Sequence, residues 1–178
     1  MKIVVFGAGD IARLAHHYFT HDSPHDVVAF TVDPEFRQSE TFLGLPLVDS
    51  TEVGRLFPAS EHHMFVALSY AKMNDVRASK YEAFKQAGYP FATYVSTRCT
   101  YLSHTPPGEN CFILEDNTVQ PFVTIGNNVT LWSGNHIGHD VRIDDHCFIS
   151  SHVLLSGYVH VGERCFIGVN ATLRNAIT

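Results

Sequence analysis

From about residue 113 to the end of the chain, an aliphatic side chain recurs at every sixth position. The series is Ile113, Val119, Ile125, Leu131, Ile137, Ile143, Ile149, Leu155, Val161, Ile167 and Leu173. Four positions later comes a small or medium residue, as in Val123, Val129, Val141, Cys147, Val153, Val159, Cys165 and Ala171. Asn117 and Asn135 are the exceptions. Glycine often follows the aliphatic residue at once, in Ile125-Gly126, Ile137-Gly138, Val161-Gly162 and Ile167-Gly168. Plain β alternation does not fix a six-residue glycine phase, so the pattern is that of a solenoid whose repeats bury their apolar residues against the next coil. It predicts a triangular parallel β-helix, with one hexapeptide per face and eighteen residues per coil.

The first ninety or so residues follow a different pattern. Lys2 to Phe6 is a continuous apolar run ending in Gly7-Ala8-Gly9-Asp10-Ile11-Ala12. A helix to about Thr20 and a second apolar strand from Val27 to Val32, ending at Asp33, come next. Further predicted elements are a strand over Met64 to Leu68, a helix from about Asn74 to Ala87, and a short strand over Ala92 to Val95. Alternating strands and helices predict a parallel sheet with crossover helices, a half-Rossmann layout too short for the full dinucleotide fold. The division expected is an α/β domain over residues 1–95 and a β-helix over 96–178. Val95 and Cys99 already sit in the hexapeptide phase, so the first coil is expected to be imperfect.

Composition narrows the class. The apolar share of 45% is ordinary for a globular protein, whereas 17% charged is low and suits buried coil-to-coil faces. A net charge of −6 argues against nucleic-acid and membrane-surface partners. No stretch reaches the length of a membrane helix, and the opening residues lack the apolar core of a signal peptide. Cytoplasmic location is the expectation. Cys111, Cys147 and Cys165 share one column of the coil with Val129, and read as free thiols packing inward. Beside them runs Phe112, Thr130, Phe148, Phe166, an outward strip that a neighbouring subunit or the N-terminal domain is expected to cover.

Two features carry candidate chemistry. Gly7, Gly9 and Asp10 lie between a strand and a helix start, where free N–H groups suit an anion, and Asp33 sits where a ribose-binding acid would. Together with Ser69 and Tyr70, these residues are placed at the carboxyl edge of one parallel sheet. A ligand-free strand-helix turn, the nucleotide portion of a substrate and a complete redox dinucleotide are all open readings of the loop. Five histidines crowd the β-helix: His136, His139, His146, His152 and His160. His139 is the third residue of its hexapeptide and points outward near a corner, with Gly157 one coil later in its column. A base beside a bare backbone N–H suits acyl transfer, with Asp140 holding the imidazole tautomer. A solvated surface histidine is the bland alternative.

Ile137-Gly138-His139-Asp140, Leu155-Ser156-Gly157 and Ile167-Gly168 resemble the hexapeptide acyltransferases with a left-handed β-helix. With the Gly7-Ala8-Gly9 strand-loop-helix in front, the layout is similar to bacterial nucleotide-amino-sugar N-acetyltransferases and sialic acid O-acetyltransferases. That resemblance implies left-handed coils, His139 as catalytic base, Asp140 as its orienting acid, and a Gly157 backbone contact to the acetyl group of acetyl-coenzyme A. It further implies an N-terminal domain that holds the nucleotide end of an amino-sugar substrate in surface-glycan precursor synthesis. Homotrimers with active sites between subunits and no metal are part of the same expectation. The chain departs from those relatives in three ways. Its loop is short where they carry a Gly-Ala-Ser-Gly-His stretch, Phe148 stands where a second histidine is common, and the coils that hold much of coenzyme A in them are expected to lie beyond Thr178. Thr178 completes a hexapeptide without a cap, so the native polypeptide is expected to continue. Sugar O-acetylation on the same scaffold is the near alternative. A zinc hydratase of the γ-carbonic anhydrase type, which needs three converging imidazoles, and a non-catalytic scaffold are the distant ones.

Overall fold

The computed structural model describes residues 1–178, which form two compact units: Met1–Ser69 with Ser79–Ala92, and Tyr70–Ala78 with Thr93–Thr178. In the first unit, strand β1 (Lys2–Phe6) leads through the Gly7–Gly9 loop into helix α1 (Asp10–His21) and strand β2 (Asp26–Val32). Strands β3 (Thr41–Phe42) and β4 (Leu45–Asp49), a short helix α2 (Val53–Leu56) and strand β5 (His63–Val66) follow. Helix α3 (Asp75–Gln86) comes last, its first turn belonging to the second unit. The sheet order is β3-β4-β2-β1-β5, with β4, β2, β1 and β5 parallel. Ile3, Val4 and Val5 are fully buried, and α1 buries Ala12, Ala15 and Phe19, the last edge-on to Phe65 at 5.0 Å. Strands covered on both faces read as unbroken apolar runs, which is why β1 is legible in the sequence.

Three details of the structure go beyond the sequence reading. The sheet is not wholly parallel, because β3 pairs antiparallel with β4. Leu43 and Gly44 both have positive φ (51° and 79°), the geometry of a two-residue hairpin turn. Second, the segment Ala92 to Val95 is not one strand of the α/β sheet. Phe91 bridges Met64, whereas Tyr94–Val95 pairs with Phe112–Ile113 and starts the β-helix. Third, the expected division at residue 95/96 assigns Tyr70–Ala78 to the α/β domain, but this segment packs with the β-helix.

In the second unit, two-residue strands stack in parallel register on three faces. One face stacks Tyr94–Val95, Phe112–Ile113, Thr130–Leu131, Phe148–Ile149 and Phe166–Ile167. The next stacks Thr100–Tyr101, Thr118–Val119, His136–Ile137, Leu154–Leu155 and Thr172–Leu173. The third holds Thr124–Ile125, Arg142–Ile143 and His160–Val161. The first coil has strands on two faces only, and on the third Gly108 donates a single N–H to the Ile125 carbonyl. The second residue of each pair points inward, so the sixfold aliphatic series is the core. The polar exceptions are satisfied there: Asn117 Oδ1 accepts from the Asn135 N–H, and Asn135 Oδ1 from the Val153 N–H at 2.7 Å. All four cysteines are free, and burial pushes the Cys111 and Cys147 thiols up to about 12.

Each corner turns through one residue of positive φ, again every sixth position, from Asn110 and Asp116 through Asp140 and Tyr158 to Ala176. At one corner these left-handed residues are Asn128, His146 and Arg164 on successive coils. Their carbonyls are met from the side by the Tyr70–Ala78 segment. Arg77 Nη1 donates to Asn128 O, Arg77 Nη2 to His146 O at 2.9 Å, and Asn74 Nδ2 to Arg164 O at 2.9 Å. The same segment covers the phenylalanine strip. Tyr70 lies 5.1 Å from Phe148 and 4.4 Å from Phe166, and Phe148 is 3% exposed. The strip is therefore covered from within this unit.

Candidate active site

His139 and Asp140 sit at the corner that follows Ile137, with Asp140 in the left-handed conformation (φ 58°). The turn brings the two side chains together, and His139 Nδ1 bonds Asp140 Oδ2 at 2.9 Å. With Nδ1–H given to the carboxylate, Nε2 keeps its lone pair for proton transfer. The imidazole is half-exposed. Its backbone is fixed on both sides, by His139 N–H donating to Gln120 Oε1 at 2.8 Å and Tyr158 N–H donating to the His139 carbonyl. Gly157 lies directly against the ring: a Cβ built there would come 2.7 Å from both Cε1 and Nε2. Any larger residue would displace the imidazole. Ser156 and Tyr158 donate their N–H groups to neighbouring coils, whereas the Gly157 N–H has no partner in that ladder. The corner thus joins an imidazole, a carboxylate on its Nδ1 and a backbone N–H outside the ladder.

The other histidines have different surroundings. His146 is 3% exposed, bonds Asn128 Nδ2 through Nδ1 at 2.8 Å, and has its pKa lowered by burial. It holds the corner that Arg77 clasps. His136 faces outward beside Thr118 and Leu154, and His152 lies over Gly134. His160 forms a second histidine-acid pair, Nε2 to Asp144 Oδ2 at 2.7 Å. Burial alone would raise Asp144's pKa, but hydrogen bonds from His160 and Arg142 outweigh it and hold the carboxyl low. In that pair the His160 Nε2 is already spent on a carboxylate. No group of three His, Cys, Asp or Glu side chains converges within the chain as a metal-binding set.

In the first unit, β1, β2 and β5 end at one edge. Gly7 (φ 127°) makes the tight exit from β1, where a Cβ would strike the Ala67 carbonyl at 2.8 Å. Gly9 N-caps α1 without a side-chain cap, and the space over it is open, so the first-turn N–H groups are accessible. Asp10 pairs with Arg13 on the surface. Asp33 is already engaged, accepting from Ser50 Oγ at 2.9 Å and pairing with Lys80 Nζ at 2.6 Å. Lys80 also stands 5.3 Å from the Phe6 ring centre. Sequence reasoning missed Ser50 and Lys80, because neither lies in a motif and only folding brings them to Asp33. Ser69 is exposed at the end of the unit, but Tyr70 is not at this edge: its ring is spent on Phe148 and Phe166.

Comparison with known proteins decides the nature of the repeats. Residues 122–157 match the family described as bacterial transferase hexapeptide (six repeats). That stretch of the β-helix is similar to bacterial transferase hexapeptide repeats. An acyl-[acyl-carrier-protein]–UDP-N-acetylglucosamine O-acyltransferase of Sinorhizobium fredii is 32% identical over 68 residues, covering 34% of this chain and 25% of that relative. Solved structures extend the likeness to both units. A mutant perosamine N-acetyltransferase from Caulobacter crescentus, in complex with CoA and GDP-perosamine, superposes with a TM-score of 0.84 at 21% identity. That match covers 99% of this chain and 81% of the other. The acetyltransferase domain of PglB from Neisseria gonorrhoeae gives 0.83 at 19% identity, over 98% and 83%. WeeI from Acinetobacter baumannii gives 0.79 at 19% identity, over 98% and 81%. These are left-handed β-helices, and a coil of the opposite hand would not superpose, so the hexapeptide repeats here turn left-handed behind an α/β unit.

Proposed function

We propose that this protein is an acetyl-coenzyme A-dependent N-acetyltransferase acting on a nucleotide-linked amino sugar, within bacterial surface-glycan precursor synthesis. The observation that carries the reading is the His139–Asp140 pair with Gly157 against the imidazole. The sugar amine attacks the thioester carbonyl carbon while His139 Nε2 takes a proton from it. The carbonyl oxygen gains charge and accepts from the Gly157 N–H. A C–N bond forms, the C–S bond breaks, and the thiolate leaves as coenzyme A, receiving the proton that His139 holds. Asp140 steadies the imidazolium between those two transfers. Two solved structures with this fold hold acetyl coenzyme A or CoA, one of them with GDP-perosamine, which supports the substrate classes. Assembly as a homotrimer and a place in the cytoplasm belong to the same proposal.

The nucleotide end of the sugar is assigned to the α/β unit, at the open α1 N-terminus, with Asp33 and Ser69 at the same edge. Gly9→Trp, filling that open space, is expected to raise the sugar-nucleotide KM by about tenfold or more, a loss of roughly 1.4 kcal/mol. The acetyl-coenzyme A KM should stay within twofold. Equal losses for both substrates would refute the assignment. The function itself is tested by incubating the protein with acetyl-coenzyme A and a panel of nucleotide amino sugars, then identifying products by mass spectrometry. An acetylated product stable to mild alkali is the expected amide. An alkali-labile product would mark the O-acetyl alternative, and release of coenzyme A from no member of the panel would reject both.

A further inference from the structure

The left-handed corner residues of the β-helix include two benzenoid rings, Phe122 and Tyr158, and both stand on the corner that carries His139. They occupy the coils on either side of Asp140 in one column. A bulky side chain at positive φ is disfavoured, and Asn or Asp meets the same turn at lower cost, as at Asn110, Asn128 and Asn170. Burial does not compensate Tyr158, which is 58% exposed with φ 62°. What it does contact is the candidate base. The Tyr158 and His139 rings meet at 5.1 Å between centres and 88° between planes, and the Tyr158 N–H bonds the His139 carbonyl. Backbone strain kept without a packing return is characteristic of functional positions.

We infer that Tyr158 is a positioning residue for His139, its ring holding the imidazole against Gly157 so that Nε2 stays presented to the acceptor. Asp140 fixes the ring through Nδ1, and Gly157 leaves room beneath it. Tyr158 adds a third restraint, its ring edge-on to the imidazole. The inference rests on the acetyltransferase reading above for its kinetic consequence, but not for its geometry. The contact is between rings, so the hydroxyl is dispensable and the aromatic face is not.

Tyr158→Asn separates this role from a merely structural one, because the two predict opposite signs. Relief of the left-handed strain should raise Tm by about 2–4 °C. At the same time kcat should fall about tenfold with the acetyl-coenzyme A KM unchanged, the signature of a misplaced group in the transition state. Tyr158→Phe should behave as wild type in both respects. In proton NMR, the His139 Cε1–H signal, assigned by its loss in His139→Gln, should shift in Tyr158→Asn and hold in Tyr158→Phe. A Tyr158→Asn protein with undiminished kcat, a lowered Tm or an unmoved His139 signal would overturn the inference. Wild-type protein without any acetyl transfer would remove the proposed function instead, and the NMR comparison alone would then decide whether Tyr158 sets the imidazole.

Discussion

His139→Ala is expected to lower kcat for acetyl transfer by about 10²- to 10⁴-fold, the range that follows loss of a general base. Stability should barely change, since the side chain is half-exposed and contributes little buried area. Asp140→Asn should cost less, because the amide still meets Nδ1 but no longer steadies the imidazolium. Gly157→Ala should approach the His139→Ala loss while removing no functional group, since its methyl would occupy the place of the imidazole edge. Three variants that touch one ring in different ways should therefore fall in a fixed order. The order is checked by steady-state kinetics on the same sugar nucleotide, with thermal melts alongside. Near-native turnover in His139→Ala, with loss in His160→Ala, would move the base to the Asp144 pair.

The β-helix was legible because its coil repeats a simple physical demand. Each aliphatic residue must point inward at the same place on every face, so Ile113 through Leu173 reports the architecture directly. Asn117 and Asn135 break the apolar rule yet lie in the core, where each side-chain amide bonds backbone of its own and the next coil. Such satisfaction cannot be seen in a sequence, where an interior asparagine looks like an exception. The hairpin around Leu43-Gly44 went unread for a different reason. Its strands are short, and β4 is only partly buried, so hydrophobic alternation there is weak.

The candidate site divides in the same way. His139, Asp140 and Gly157 were recoverable because eighteen-residue columns turn sequence separation into contact, and the measured ring-to-glycine approach follows that column. Tyr158 lies in the next column, beside Asp140, and its meaning depends on a backbone angle that no spacing reveals. Lys80 and Ser50 reach Asp33 from α3 and from the end of β4, elements whose meeting is decided by the sheet order. Tyr70 failed as an edge residue because the chain leaves the α/β unit after Ser69 and spends the ring on phenylalanines far away in sequence.

The largest stability effect is expected at a residue outside any motif. Arg77 is 1% exposed and carries a charge with no carboxylate among its hydrogen-bond partners. Burial pushes its pKa down to about 10, which leaves the guanidinium charged at neutral pH. Its partners are the carbonyls of Asn128, His146 and Cys147 and the side-chain oxygens of Asn74 and Asn128. Removing the guanidinium strands several buried acceptors at about 1–3 kcal/mol each, offset in part by release of a desolvated charge. Arg77→Ala should therefore lower stability by about 2–4 kcal/mol, and Arg77→Met nearly as much, because refilling the volume restores no donor. Asn74→Ala, which loses the bonds to Arg164 and Cys165, should cost about 1–2 kcal/mol. The single tryptophan, Trp132, lies 6.3 Å from Phe148 on the β-helix, so its fluorescence in urea reports this unit. Overlapping unfolding curves for Arg77→Met and wild type would mean that solvent replaces the clasp, and that the Tyr70–Ala78 segment is held by its tyrosine alone.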